Sequence, residues 1–224
     1  MKYLCVLDVE GSSVCRPYNV GYIIMDRKGN IYHKRNVALH PCIIENLEAR
    51  ALIGCEKMAM KNIREIESNE TKYEHCYSVE EFLKIFLEDM EYFNVKDIWA
   101  YNVAFDKGAM NRLFFWLKPD FIDLFCWKDI APAIFHTHLL TKKYIRFCQK
   151  YELYTKNGNY SSTAENVYRY LFNKPDFQEE HTGLADVMIE KDILLKVFNS
   201  KKKIQTKGIC IWKALAKFCE NEGI

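Results

Sequence analysis

Four acidic side chains in three short segments carry the chemistry that this sequence can offer. Asp8 and Glu10 close the apolar run YLCVLDVE, where a strand's period of two puts residues i and i+2 on one side. Gly11-Ser12-Ser13 then begins a loop, so both carboxylates leave the C-terminal end of a strand, where open α/β sheets place their ligands. Like charges this close resist joint ionisation unless a cation lies between them. Taken alone, the pair also fits a solvated strand end. Asp106 follows in Asn102-Val103-Ala104-Phe105-Asp106. With Asn102 as helix N-cap, Asp106 falls in the first helical turn, where the dipole favours an ionised carboxylate. That is equally an ordinary place for a structural Asp. The third segment is Glu179-Glu180-His181-Thr182-Gly183-Leu184-Ala185-Asp186. It sets Asp186 at the start of a long helix and His181 in the loop before it, a base within reach of a metal site.

Together these acids come from one strand end and two helix starts. Hard oxygen ligands of this kind suit Mg²⁺ or Mn²⁺ rather than zinc or copper. Two such ions about 4 Å apart can hold the attacking and leaving oxygens of an in-line phosphoryl displacement.

The elements that must position these groups are readable from periodicity. Tyr3 to Val9 reads as a strand buried on both faces. Val20 to Met25 and Ile31 to Leu39 flank the Gly29-Asn30 turn and read as a β-hairpin. Glu56 to Ile66 is helical, and Ser78-Val79-Glu80-Glu81 is a capping box opening a helix to about Phe93. Asp97 to Tyr101 is a strand running into a helix that Pro119 ends. Phe121 to Phe125 is the next expected strand, Ala131 to Gln149 the next helix, and Tyr154 to Ser162 a small hairpin. Ala164 to Phe172, Gly183 to Phe198 and Ile211 to Cys219 read as helices. This order predicts one α/β domain, a central mixed five-stranded sheet flanked by helices.

The chain has 224 residues, 32 Lys+Arg against 30 Asp+Glu, and 28% charged beside 14% aromatic residues, which excludes disordered and collagen-like classes. No apolar run approaches a membrane span. MKYLCVLDVEG has acids inside its apolar stretch, so a secretory signal is not expected. The nine cysteines are odd in number, scattered and without CxxC pairs, which points to core thiols in a reducing, cytoplasmic compartment. The net charge of +2 leaves a nucleic-acid partner open.

With these residues in place, DVEGSS, NVAFD and HTGLAD resemble the three motifs of the DEDDh 3′–5′ exonucleases, a superfamily with a ribonuclease H-like fold that includes ribonuclease T and proofreading exonuclease subunits. The resemblance runs from Tyr3 to about Phe198 and is nearest in look to bacteriophage and bacterial exonucleases. His181 marks the histidine branch; the tyrosine branch would want Tyr where Thr182 stands. The resemblance implies an exonuclease domain over residues 1–200, followed by a basic connector and a short C-terminal helix (201–224) packed on it. It implies two Mg²⁺ or Mn²⁺ ions held by Asp8, Glu10, Asp106 and Asp186, with His181 as the base for the attacking water. It also implies a 5′-mononucleotide product cut from single-stranded or frayed 3′ ends, DNA somewhat favoured over RNA. Gly11, Ser12, Tyr101, Asn102 and Phe105 fall where substrate contacts are expected. Gly11-Ser12-Ser13 replaces the more usual Thr-Thr-Gly after the first Glu, and Tyr101 replaces a His, so Tyr101 fits either a stack for the terminal base or a packed strand residue. The implied setting is a bacterial cell or phage-infected host. Two alternatives stay open: a proofreading subunit beside a separate polymerase or other replication protein, and a nucleic-acid-binding module without efficient cleavage.

Lys142, Lys143, Arg146 and Lys150, interleaved with Tyr144, Tyr151 and Tyr154, fit either a single-strand track or a solvated helix face over core tyrosines. Lys201 to Lys203 reads as a solvated run. His136 and His138 have no nearby acid or cysteine to complete a zinc site. Asp123 and Asp129 are both candidates for supporting the acidic cluster.

Overall fold

The computed structural model describes residues 2–11, 16–45, 57–68, 71–120, 122–206 and 211–223. The three N-terminal strands β1 (Leu4–Glu10), β2 (Asn19–Met25) and β3 (Ile31–Leu39) form an antiparallel meander. Asp26 fixes the β2–β3 turn, its carboxylate accepting from the Lys28 amide at 2.8 Å and from Asn30 Nδ2 at 2.9 Å. Helix α1 (Lys57–Ser68) precedes β4 (Glu74–Cys76), which joins β3 in parallel. Helix α2 (Val79–Tyr92) begins at Ser78, whose Oγ accepts from the Glu81 amide at 3.0 Å. Glu81 returns its bond one residue further out than a capping box predicts, to the Tyr77 amide.

Strand β5 (Asp97–Ala100), helix α3 (Val103–Leu117) and strand β6 (Cys126–Asp129) complete the sheet. Its order is β4-β3-β2-β1-β5-β6, with β5 parallel to β1 and β6 parallel to β5. This is an α/β fold with a mixed sheet flanked by helices, compatible with the ribonuclease H-like expectation. It has six strands instead of five. The additional one, β4, is three residues long, and EHC has no apolar alternation to announce it.

The strand expected at Phe121 to Phe125 lies further on, at Cys126–Asp129; Phe121 is outside the described residues. Ile122 and Leu124 are exposed, and it is Trp127 that turns into the core. The helix expected over Ala131 to Gln149 is broken into α4 (Ile130–Ile134), a π-helical turn at Phe135–Leu139, and α5 (Lys142–Lys150). Thr137 Oγ1 bonds back to the Ala133 carbonyl at 2.9 Å, which loosens a helix. Thr141 then opens α5 as a new N-cap. Between Tyr154 and Tyr160 the expected hairpin is reduced to one antiparallel bridge. Helices α6 (Ala164–Leu171), α7 (Gly183–Asn199) and α8 (Ile211–Glu222) follow.

Two apolar cores sit on the two faces of the sheet. Cys5, Leu7 and Val9 of β1 enter the core under α2 and α3, whereas Leu4 and Val6 enter the core under α4 to α8. Leu215 and Cys219 bury α8 in the second core. No disulfide joins the described cysteines, and Cys5, Cys42, Cys76, Cys148 and Cys219 are buried. Among the described residues no helix is long and apolar enough to cross a membrane.

Candidate functional site

The strand alternation decides where the first two acids point. Leu4 and Val6 face α7, so Asp8 and Glu10 continue the same row, beyond the apolar part of the core. Asp8 is half-buried, and its Oδ2 is closed from solvent with no hydrogen-bond partner among the described residues.

Helix α7 reaches this row because two glycines let its first turn touch β2. A Cβ on Gly21 would stand 2.0 Å from the Gly183 carbonyl carbon, and one on Gly183 would stand 2.5 Å from the Gly21 nitrogen. Asn19, on the same face of β2 as Gly21, locks the contact: its Oδ1 accepts from the Gly183 amide at 2.8 Å, and its Nδ2 donates to Asn36 and to the Val37 carbonyl. His181 is held in the left-handed region (φ 56), and its carbonyl accepts from Asn62 Nδ2 of α1 at 2.6 Å. The loop carrying His181 and the helix carrying Asp186 are thereby fixed to the sheet. Gly183→Ala and Gly21→Ala should each force backbone apart, costing about 3 kcal/mol or more. For a chain of this size that is a fall in Tm of roughly 10 °C by calorimetry. A change of under a degree in either variant would mean the close approach is not required.

Asp106 arrives from the opposite direction, in the first turn of α3, with Oδ1 accepting from the Val9 amide at 3.1 Å. Asn102 does not cap α3 as the sequence suggests. It sits in the left-handed region (φ 62) and its side chain makes no cap bond. Asp129 at the end of β6 caps α4, its Oδ1 accepting from the Ala131 amide at 3.0 Å, and the same oxygen accepts from the Asn102 amide at 3.1 Å. Asp129 is therefore the acid beside the cluster. Asp123 instead accepts from Trp127 Nε1 at 2.8 Å and pairs with Lys107 at 3.5 Å.

The structure brings Asp8, Glu10, Asp106 and Asp186 together and adds a fifth carboxylate, Glu190. It lies one helical turn after Asp186, is 3% exposed, and accepts from the Tyr101 amide at 3.1 Å. All five acids are pushed up from the ordinary carboxylate range, first by burial. Asp8 is raised further by Glu190, Asp106, Glu10 and Asp186, and Glu190 by Asp106 and Asp186. The Val9 amide only partly offsets burial at Asp106. Ligand oxygens of Glu10 and Asp186 lie within 4.8 Å of each other, close enough that the two carboxyls favour a shared proton or a cation in its place.

No family model matches this chain, and no curated protein matches it.

The donor set fits a hard divalent cation on the chain's own geometry. One ligand atom from each of Glu10, His181 and Asp186 lies within 4.8 Å of the others, and the buried oxygens Asp8 Oδ2 and Asp186 Oδ1 have no donor among the described residues. A second acidic group, Glu165 and Glu179, also lies within 4.8 Å of a ring nitrogen of His181. His181 Nδ1 is 3.9 Å from Glu179 Oε2, and Arg169 pairs with Glu165 while donating to the Phe177 carbonyl at 2.6 Å. Burial, then the charge of Glu165, pushes Glu179 up to about 7.

Among the expected substrate contacts, Ser12 lies outside the described residues, and Gly11 follows Glu10 against Pro17. Phe105 and Asn102 are exposed beside Asp106. Tyr101 donates its hydroxyl to the Ser162 carbonyl at 2.5 Å, which ties the ring to the domain. Tyr144 of α5 is fully buried, while beyond the helix Tyr151 and Tyr154 are exposed, Tyr151 with the Lys150 ammonium 4.9 Å from its ring centre. His136 and His138 belong to no three-ligand group among the described residues.

Proposed function

We propose that this protein is a divalent-metal-dependent 3′–5′ exonuclease that releases 5′-mononucleotides from single-stranded or frayed 3′ ends of DNA or RNA in a cytoplasmic setting. The observation that carries the reading is the convergence of Asp8, Glu10, Asp106 and Asp186 on one space, with two buried carboxylate oxygens lacking a donor among the described residues and His181 at its edge. Asp8, Glu10 and Asp186 would hold one Mg²⁺ or Mn²⁺, and Asp106 with Asp8 the other. When bound, the ions supply the positive charge that a phosphoryl group needs during in-line displacement.

The remaining work falls to the chain's own residues. Glu179 beside Nδ1 favours a proton on that nitrogen, leaving Nε2 of His181 to accept the proton of the attacking water. Asn62 and Asn19 hold the loop so that the imidazole keeps its place as the substrate enters. Asp129 fixes the Asn102 turn, which presents Phe105 and Asn102 to the terminal nucleotide.

The test incubates 5′-labelled single-stranded DNA, RNA and duplex with the protein and Mg²⁺ or Mn²⁺. The expected result is a descending ladder with released mononucleotides, abolished by chelator. His181→Ala should lower kcat by about 10² to 10⁴-fold, the usual contribution of a general base, while calorimetric Mn²⁺ binding persists. Cuts within a circular single strand would refute the exonuclease reading. Metal-independent binding of every strand without shortening would replace it with a binding module.

A further inference from the structure

A cavity of about 70 Å³ lies at the other end of β1 from the acidic cluster, lined by Lys2, Arg27 and Lys128, by Asp97, and by the rings of Trp99 and Phe198. From Leu4 to Glu10 the strand spans roughly 20 Å, so this is a separate place on the molecule. Its charge is unbalanced. Asp97 is shared by Lys2 and Lys128, each at 2.9 Å, and one carboxylate faces three cations. Arg27 has no carboxylate partner among the described residues; its guanidinium stands 4.5 Å over the Phe198 ring. Lys128 lies 5.3 Å from the centre of the Trp99 ring, against which Phe198 packs edge-on at 5.6 Å. Trp99 itself is 4% exposed, and its Nε1–H is buried without an acceptor among the described residues.

Two features select the ligand. Three cations around one acid, with a buried N–H that lacks an acceptor, call for a group that brings negative charge and several acceptor oxygens. A water-sized group needs about 10–15 Å³ of such space, so the cavity takes on the order of five, the heavy-atom count of a tetrahedral oxyanion. The aromatic walls favour Arg27 as the adaptable donor, since a guanidinium can stay stacked on a ring while its edge binds oxygen.

We propose that this cavity is a binding site for a phosphate group, either free (inorganic phosphate or a mononucleotide) or in a nucleic-acid backbone. It does not depend on the exonuclease reading, because none of its residues belongs to the acidic cluster.

The test uses the full chain, ¹⁵N-labelled at tryptophan, in excess chelator so that the acidic cluster binds no metal–phosphate complex. The Trp99 indole resonance is assigned by its loss in Trp99→Phe. Inorganic phosphate and a 5′-mononucleotide are titrated, with chloride at matched ionic strength as the reference. The expected result is a saturable shift of the Trp99 resonance with phosphate and mononucleotide and none with chloride. In Lys2→Ala/Arg27→Ala, both exposed positions, the affinity should fall by about tenfold or more. A parallel titration with a short single strand separates the sources: a Trp99 shift with the strand adds backbone phosphate, and its absence confines the site to free phosphate. An unmoved Trp99 resonance in every arm, an equal response to chloride, or an undiminished affinity in the double variant would overturn the proposal.

Discussion

Asp8→Asn is expected to lower kcat by on the order of 10³, the scale of losing one principal stabiliser of transition-state charge, while raising the Tm of the metal-free protein. The two effects have one cause. Asp8 sits within the acidic group, with Glu190, Asp106, Glu10 and Asp186 all disfavouring its charge, and its Oδ2 has no donor among the described residues. An amide of the same shape removes the charge and brings two N–H donors to neighbouring carboxylate oxygens. The metal-free fold would gain what the proposed metal site loses. Calorimetry in chelator and in Mn²⁺, beside single-turnover cleavage of a labelled strand, reads both sides. A variant destabilised in chelator would show that Asp8 holds the sheet together through some contact other than charge. Unchanged cleavage would remove Asp8 from the site altogether.

Such a trade-off explains the rigid frame around the cluster. Five carboxylates do not assemble unaided; the surrounding contacts impose their closeness. Gly21 packs directly against Gly183, Asn19 Oδ1 accepts from the Gly183 amide, and Asn62 Nδ2 donates to the His181 carbonyl. They keep α7 in place against the repulsion at its first two turns. This divides the chain into a stabilising scaffold on β2 and α1 and a destabilised site on β1, α3 and α7, the usual relation between a fold and the strained centre it carries.

The parts legible in the sequence were those set by local rules. Period-two alternation put Asp8 and Glu10 on one side, and the helix starts placed Asp106 and Asp186, because each depends only on neighbouring residues. Glu190 was not legible for a tertiary reason. In GLADVMIEKDIL a mid-helix Glu reads as solvent-facing, and only the Gly21–Gly183 contact, which lays α7 across β1, turns position i+4 from Asp186 inward. Asp129 was undecided against Asp123 because the β6 register was unknown. Once Ala100 pairs with Asp129, that carboxylate must lie beside the Asn102 turn. Asn102 reads as a cap by type, but its backbone takes the left-handed conformation that Asn tolerates, its side chain makes no cap bond, and its own amide donates to Asp129.

In chelator, the stability of this protein should fall as pH rises, with the steepest loss approaching pH 8. Glu10 is raised to about 7, and Asp106 and Asp186 to about 8, chiefly by burial. A carboxyl raised in the folded state holds its proton there more tightly than in the unfolded chain. Its contribution is therefore fully present below about pH 4 and is lost as pH rises through the folded values. A single carboxyl shifted from near 4 to near 8 corresponds to on the order of 5 kcal/mol. Because these groups share protons, the cluster as a whole is expected to behave more like one such group than like the sum of several. That is a drop in Tm on the order of 10 °C between pH 5 and 8. Acid works in the other direction. At Asp89, Arg35 and Tyr22 outweigh burial, and at Asp97 Lys128 and Lys2 do, so both are held low and lose their contribution below about pH 4. Burial keeps His40, His136 and His138 low, so they too favour the less acid side. The metal-free optimum should then lie between about pH 5 and 6. Mg²⁺ or Mn²⁺ bound as proposed would compete with protons for the same oxygens, so the Tm gap between metal and chelator should widen with pH. Glu190→Gln keeps an acceptor for the Tyr101 amide and removes one buried charge, so it should flatten the alkaline limb without removing the metal effect. A Tm in chelator that is flat or rising from pH 5 to 8, with Glu190→Gln no different from the parent, would show that the five carboxyls ionise freely and that no cation is needed to hold them together.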